Sequence, residues 1–356
     1  MIKRKKTNEI EIGLVKIGGK NPIAVQSMCN TDTRDVKATV NQIKELEEAG
    51  CEIIRLAVPD MEAAQALGQI KKQIKIPLVA DIHFDYRLAL ESLKQGIDKL
   101  RINPGNIGLK EKTEAVVKEA KKQGVPIRIG INSGSLQKDI LEKYQGKVTA
   151  KGMVESAERH IKILEDLSFD QIVVSLKASD VLRTVEAYRL FSPKYDYSLH
   201  LGITEAGTIL KGAVKSSVGL GILLAEGIGD TIRVSLTGGV KEEVKVGYEI
   251  LKALGLRQRG PNLISCPTCG RTEIDLPKLA DQVDDFLSQI KEPITVAVMG
   301  CVVNGPGEAR EADVGVAGGK GMGAIFVKGK VIKTVKEEEI MPELIRQIKK
   351  IIKKPL

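Results

Sequence analysis

Three of the five cysteines fall in the last quarter of this 356-residue chain, in Cys266-Pro-Thr-Cys269-Gly and in Met299-Gly-Cys301-Val-Val-Asn-Gly-Pro-Gly-Glu308. The C-x-x-C spacing lets two thiolates converge on one metal centre, and a third about thirty residues later can close on it from another strand. Zinc sites and iron–sulfur cubanes usually take four protein ligands, so three thiolates leave one position to a different donor. Glu308, presented by the turn-forming run Asn304-Gly305-Pro306-Gly307, is the candidate. A carboxylate is a harder and more exchangeable ligand for iron than a thiolate. Three thiolates and a replaceable oxygen describe a catalytic cluster better than an electron wire. Cys29 is a second candidate for the fourth ligand, with core packing the favoured reading for it and for Cys51.

A second set of polar residues recurs along short β-branched runs. Arg55, Asp81 and His83, Arg101 and Asn103, Arg128 and Asn132, and Ser175 and Lys177 come from successive runs. His200, Thr204 and Glu205, then Arg233, Ser235 and Thr237, follow from the last two. Taken singly, each has a bland reading. An arginine in a strand is often a structural ion pair, a histidine a satisfied core residue, and Arg55 and Asp81 could be each other's partners, since buried charges need pairing. Taken together, Arg55, Arg101, Arg128 and Lys177 would point into one mouth, which suits a phosphorylated or multiply anionic substrate.

The elements that must position these residues alternate. Strands are predicted at Ile23–Cys29, Ile53–Val58, Leu78–His83, Lys99–Pro104, Pro126–Asn132, Gln171–Lys177, Ser198–Thr204 and Thr231–Thr237. Amphipathic helices fall between them, including Val36–Ala49, Glu62–Ile74, Leu109–Gln123 and Val154–Leu167; Gly50 and Gly124 follow the first and third as stop signals. Eight strands with intervening helices predict an α/β fold, a closed (β/α)8 TIM-type barrel, over residues 1–260. In such barrels functional groups sit at the C-terminal strand ends, where the polar set falls. A doubly wound sheet is the alternative. Residues 261–356 read as a small α+β domain, with a helix at Asp281–Lys291 and strands at Ile294–Val298, Asp313–Ala317, Gly323–Lys328 and Lys330–Val335. Pro342–Ile352 is a closing helix, and Gly318–Gly323 is a hairpin turn rather than a phosphate loop.

Composition narrows the function classes. The chain is 42% hydrophobic with no tryptophan and few aromatics, which argues against stacking platforms for single-stranded nucleic acid. The net charge of +9 is matched by nine basic residues near the ends: Lys3, Arg4, Lys5, Lys6, Arg346, Lys349, Lys350, Lys353 and Lys354. These read as solvated termini rather than a nucleic-acid tail. No apolar run reaches membrane-spanning length and the charged N-terminus lacks a following apolar core, so neither a membrane helix nor a signal peptide is expected. An odd number of cysteines does not suggest a secreted disulfide framework, so a cytoplasmic location is expected. A zinc-stapled binding module is the competing reading for the cysteines. A radical enzyme is disfavoured, because its C-x-x-x-C-x-x-C triplet is absent.

The cysteine motifs, with Val25-Gln-Ser-Met-Cys-Asn-Thr-Asp-Thr-Arg34 and Leu100-Arg-Ile-Asn-Pro-Gly-Asn106, resemble the bacterial 4-hydroxy-3-methylbut-2-enyl diphosphate synthases of the methylerythritol phosphate route to isoprenoids. The resemblance spans essentially the whole chain in the two-domain form of that family. It implies a barrel that binds 2-C-methyl-D-erythritol 2,4-cyclodiphosphate and a [4Fe–4S] domain that delivers two electrons to it. It implies Cys266, Cys269, Cys301 and Glu308 as cluster ligands. Flavodoxin or ferredoxin would be the electron donor, and a head-to-tail homodimer would place one subunit's cluster domain over the other's barrel. On this reading Arg55, Arg101, Arg128 and Lys177 neutralise the diphosphate, with Asp81, Asn103, Asn132, His200, Thr204, Arg233 and Ser235 around the substrate. Glu205 is the candidate proton donor, and His83 is second.

Overall fold

The computed structural model describes residues 2–107, 110–301 and 311–353. The chain divides into two compact units, Met1–Arg257 and Gln258–Leu356.

The first unit opens with an antiparallel hairpin, β1 (Ile10–Ile12) and β2 (Val15–Ile17). Eight parallel strands follow: β3 (Ala24–Met28), β4 (Ile53–Ala57), β5 (Leu78–Asp81), β6 (Lys99–Ile102), β7 (Ile127–Asn132), β8 (Ile172–Lys177), β9 (Ser198–Leu201) and β10 (Thr231–Ile232). They close into a barrel in chain order, with β10 beside β3. The eight-stranded expectation holds. The last strand pairs over two residues rather than the expected seven, although Arg233 N still donates to Leu201 O at 3.0 Å beyond it.

Helices α1 (Val36–Ala49), α2 (Met61–Lys71), α3 (Tyr86–Lys94), α4 (Lys110–Gln123), α5 (Lys138–Lys143), α6 (Ala150–Asp166), α7 (Val181–Phe191), α8 (Ile209–Ala225) and α9 (Val240–Ala253) accompany the strands. Leu109, the expected start of α4, lies outside the described residues. Four of these helices begin the same way. Asp35, Asp60, Asp85 and Asp180 each accept a backbone N–H from the first turn, satisfying a donor that the helix cannot. At the other end of α1, Gly50 adopts φ 106°, a left-handed turn that a side chain would resist.

Strand residues alternate in direction. Val25, Ile54, Leu78, Leu100, Ile127, Ile172 and Leu199 belong to the large core shared with the helices. Ala24, Ile53, Val79 and Val173 point the other way and pack against Ile10, Ile12 and Ile17 of the hairpin, so an apolar plug closes the N-terminal end of the barrel. The sequence reading missed this hairpin, because two three-residue strands are too short to carry a period. It also misread the N-terminal basic run as solvated. Arg4 pairs with Asp230 at 3.1 Å and donates to Asn21 O at 2.6 Å, Lys5 N donates to Gly227 O at 2.9 Å, and the Lys5 ammonium reaches Ser192 O. Part of the positive charge is thus used to seam the barrel.

The second unit is a five-stranded sheet, β11 (Asn262–Ser265), β12 (Thr295–Met299), β13 (Val314–Gly319), β14 (Met322–Val327) and β15 (Lys330–Lys336), in that order. The first three are parallel and the last two antiparallel. Helices α10 (Leu276–Leu287) and α11 (Ile340–Ile352) bury Leu279, Val283, Leu344 and Ile348 against Val296, Val298, Val316 and Ile325. The glycine run is a hairpin turn as expected, with Gly319 opposite Met322 across Lys320 and Gly321. Strand β11 falls where the sequence suggested a domain boundary. No helix among the described residues is long and apolar enough to cross a membrane.

Candidate functional site

Above the apolar plug the inward-facing side chains turn polar. Gln26, Arg55, Lys99, Arg128, Ser175, His200 and Thr231 are two residues on from the plug layer or on the same faces, and Asp81, Arg101, Asn103, Lys177 and Arg233 follow toward the C-terminal mouth. The fold therefore brings Arg55, Arg101, Arg128 and Lys177 into one pocket, joined by Arg233 and by Lys99. The sequence reading did not single out Lys99; its position at the first residue of a strand was the one signal available.

Their surroundings differ. Asp81 accepts from Arg101 Nη1 at 2.9 Å and lies 3.5 Å from Arg55 Nε. Burial pushes the Asp81 carboxyl up, but Arg55, Arg101 and Arg128 outweigh it and hold it well below the usual carboxylate range. Glu243, which the sequence reading also missed, reaches in from α9. It accepts from Ser27 Oγ at 3.0 Å and Leu236 N at 3.0 Å and pairs with Arg233 at 3.4 Å. The other cations have no carboxylate within ion-pair distance among the described residues. Lys177 Nζ meets His200 Nε2 at 3.0 Å, and His200 Nδ1 meets Thr231 Oγ1 at 2.8 Å. Lys177 donates to Nε2, which leaves the imidazole proton on Nδ1; burial, then Arg128 and Arg233, hold the Lys177 ammonium well below its usual range. The Nε of Arg128 is buried without a partner.

Asn103 is committed elsewhere. Its amide accepts from Gly130 N at 2.9 Å and donates to Gly130 O at 3.1 Å, tying β6 to β7. Asn132, Thr204 and Ser235 are partly buried, and Thr204 N donates to Ala178 O at 3.2 Å. His83 is half-exposed with Arg101 Nη1 3.0 Å from its Nε2; burial and then Arg101 push its pKa down, so it rests neutral. Glu205 is exposed just past β9 at φ 51°, a left-handed conformation uncommon for a residue with a side chain.

His160 on α6 is a third histidine that the sequence reading passed over. Its Nδ1 accepts Gly105 N–H at 3.0 Å, and its Nε2 lies 3.0 Å from the Gln137 amide. One ring thus joins the loops that leave β6 and β7.

In the second unit, Cys266 directly follows β11 and Cys301 lies two residues past the end of β12, so adjacent parallel strands bring both thiols to one edge. Gly300 N donates to Cys266 Sγ at 3.2 Å, and Cys269 N donates to Thr272 Oγ1 at 3.2 Å. A Cβ on Gly300 would stand 2.9 Å from Thr272 Cγ2 and 3.1 Å from Leu276, so glycine permits this close turn. Glu308 lies outside the described residues, and among the described residues no three His, Cys, Asp or Glu side chains are gathered closely enough to hold a metal ion. The donor set nonetheless suits a thiolate-bound cluster, because a backbone N–H on sulfur is the outer hydrogen bond such ligands accept. Cys29 and Cys51 are different. Burial pushes both thiols up to about 12, which disfavours the thiolate a metal needs.

Residues 7–248 match the family model described as the GcpE TIM-barrel domain, and residues 262–350 match that of the GcpE protein C-terminal domain. A 4-hydroxy-3-methylbut-2-en-1-yl diphosphate synthase (flavodoxin) of Thermodesulfovibrio yellowstonii is 63% identical over 350 residues, covering 98% of this chain and 100% of the relative. One from Clostridium acetobutylicum is 60% identical over 347 residues, covering 98% and 99%. Among solved structures, dihydropteroate synthase from Stenotrophomonas maltophilia superposes with a TM-score of 0.51 at 13% identity, over 70% of this chain and 98% of that one; this likeness is one of fold alone.

Proposed function

The chain belongs to the GcpE family, and from that premise we propose that it reduces 2-C-methyl-D-erythritol 2,4-cyclodiphosphate to 4-hydroxy-3-methylbut-2-enyl diphosphate in isoprenoid precursor synthesis. The observation that carries this reading is the buried cationic pocket, in which Arg128 and Lys177 have no carboxylate of their own. A cyclic diphosphate supplies the missing negative charge, and arginine forks match its oxygens. In the reaction one ring C–O bond to phosphate and the neighbouring C–OH bond break, a C=C bond forms, and two electrons and a proton are taken up as the hydroxyl leaves as water.

The barrel's share is to hold the diphosphate while leaving the carbon skeleton free. Arg128 and Lys177 bind phosphate oxygens directly. Arg55 and Arg101, held in place by Asp81, present their remaining N–H groups to the same anion. Glu205 delivers the proton to the departing hydroxyl. Its left-handed backbone supports this role, since strain at a mouth residue persists where surroundings fix it for a task. His83, kept neutral by burial and Arg101, is the weaker acid candidate.

Cys266, Cys269, Cys301 and Glu308 would hold a [4Fe–4S] cluster in a C-terminal domain of residues 261–356, with the substrate domain over residues 1–260. When bound, that cluster would relay the two electrons from the donor one at a time and supply Lewis-acidic iron. The relatives' names specify flavodoxin, so flavodoxin rather than ferredoxin is the proposed donor. The working form is a cytoplasmic head-to-tail homodimer. Anaerobic turnover of the cyclodiphosphate with reduced flavodoxin tests the reading. Wild type should form the diphosphate product, and Cys266→Ser should lose both iron and activity. A protein that carries zinc and binds no cyclodiphosphate would be the stapled module instead.

A further inference from the structure

The floor of the barrel pocket holds more positive charge than the groups around it balance. Lys99, Arg128 and Lys177 are 0%, 1% and 8% exposed, and among the described residues none lies within ion-pair distance of a carboxylate. The pocket's two carboxylates are engaged elsewhere, Asp81 by Arg55 and Arg101 and Glu243 by Arg233. Each bare charge taken out of water carries a desolvation penalty. An arginine cannot relieve it by losing a proton, whereas a lysine can. Of the two lysines, Lys177 has an imidazole nitrogen to bond at 3.0 Å. Lys99 has one neutral partner, the Gln26 amide oxygen at 3.3 Å.

We propose that Lys99 rests as a neutral amine at the floor of the pocket and takes up a proton when the cyclic diphosphate settles on Arg128 and Lys177, so that substrate binding is coupled to proton uptake. The inference rests on reading the pocket as the diphosphate site. Each barrel strand contributes a polar or charged group around the pocket. The neutral Gln26 comes from β3, Arg55 from β4, Asp81 from β5, Arg101 from β6, Arg128 from β7, Lys177 from β8, His200 from β9, and Arg233 from just past β10. The hairpin beneath turns Ile10, Ile12 and Ile17 toward the barrel, while its charged Glu11 and Lys16 are exposed and pair with each other at 2.7 Å. Burial, then Arg128 and Arg55, hold the Lys99 ammonium well below its usual range. An incoming dianion offsets the two arginines and reverses the balance. The proton comes from solvent, because each phosphate of the ring carries one ester and one anhydride linkage, and its single remaining acidic oxygen is ionised near neutral pH. The hydrogen bond to Gln26 survives either way, since amine and ammonium can both donate.

Calorimetry on the oxidised holoenzyme, anaerobic and without reductant, tests this. The cyclodiphosphate is titrated at one pH into buffers of different ionisation enthalpy. Wild type should take up about one proton per substrate bound, and its Kd should rise by up to about tenfold per pH unit through the window in which Lys99 is neutral when free and charged when bound. Lys99→Met should bind saturably with most of that uptake lost and a flatter pH dependence. Lys99→Gln, neutral and polar, serves if methionine unsettles the fold. Identical heats in all buffers for wild type would sink the proposal. So would uptake that survives in both variants, which would assign the proton to Lys177, His83 or His200. Absence of any saturable heat in wild type would strike the diphosphate reading itself, and the coupling with it.

Discussion

Arg101 and Arg128 face each other across neighbouring strands, with Cα atoms in register, yet their surroundings give them different work. Arg101 forms a buried pair with Asp81, whereas Arg128 has no carboxylate within ion-pair distance among the described residues; the buried Nε of each lacks an acceptor. Losing one member of a buried pair exposes the other as a bare charge, so Arg101→Met should cost about 3 kcal/mol of folding stability. Arg128→Met removes an uncompensated charge and should leave stability unchanged or improved, while substrate binding weakens by on the order of 1.5–3 kcal/mol. Denaturant titration and calorimetry on both variants separate the cases; equal stability losses would make Arg128 structural. Glu205→Gln should bind substrate normally and turn over on the order of 100-fold more slowly, measured with excess reductant. A near-wild-type rate would move the proton donor to His83 or a bound water. The sequence showed that the pocket would be basic, because arginines recur at strand ends. It did not show which arginines were already paired, since pairing depends on distances across strands. It passed over Lys99 and Glu243 because neither sits where a barrel mouth is expected.

At the scale of elements, the barrel strands were legible because each is a short β-branched run beside an amphipathic stretch, and the N-capping aspartates mark where several helices begin. The hairpin plug was not, because its two strands gain meaning only when Ile10, Ile12 and Ile17 meet the inward residues of four distant strands. Ile12 is fully buried there, so Ile12→Ala should destabilise the barrel by about 2–5 kcal/mol. Its effect on substrate affinity should be small, because it lies beneath the polar layer. A Kd shift as large as that of Arg128→Met would show that the plug shapes the pocket. The loops leaving β6 and β7 depend on His160 instead. Burial, then Arg159, lower this imidazole's pKa to about 4 from an ordinary 6.5. Because the folded value is depressed, the stabilisation is complete above about pH 6.5 and is lost as pH falls toward 4, a change of roughly 3 kcal/mol. Urea unfolding of wild type at pH 7 and pH 5, against His160→Gln, should show a steeper loss in wild type. Parallel loss in both proteins would mean that the ring does not titrate with unfolding.

For the whole molecule, two cores within one chain raise the question of how substrate-binding and redox chemistry meet. Each unit has its own sheet system and apolar core, and the polar pocket and the cysteine edge belong to different units. The proposed head-to-tail homodimer would answer this by letting one subunit's cluster serve the other's barrel, and it makes a prediction that a cis arrangement does not. Arg128→Met has a damaged barrel with intact cysteines, and Cys266→Ser has an intact barrel without a cluster. Each alone should be nearly inactive. In a mixed dimer, the intact barrel of the second chain would meet the intact cluster of the first, creating one working site. With one working site of two, the mixed dimer should show about half of wild-type activity, and an unselected random mixture, in which about half the dimers are mixed, about a quarter. Co-expression with two affinity tags, followed by turnover assays on the doubly selected dimer, measures it directly. If each barrel instead used its own chain's cluster, the mixed dimer would hold two half-broken sites and remain as inactive as its parents.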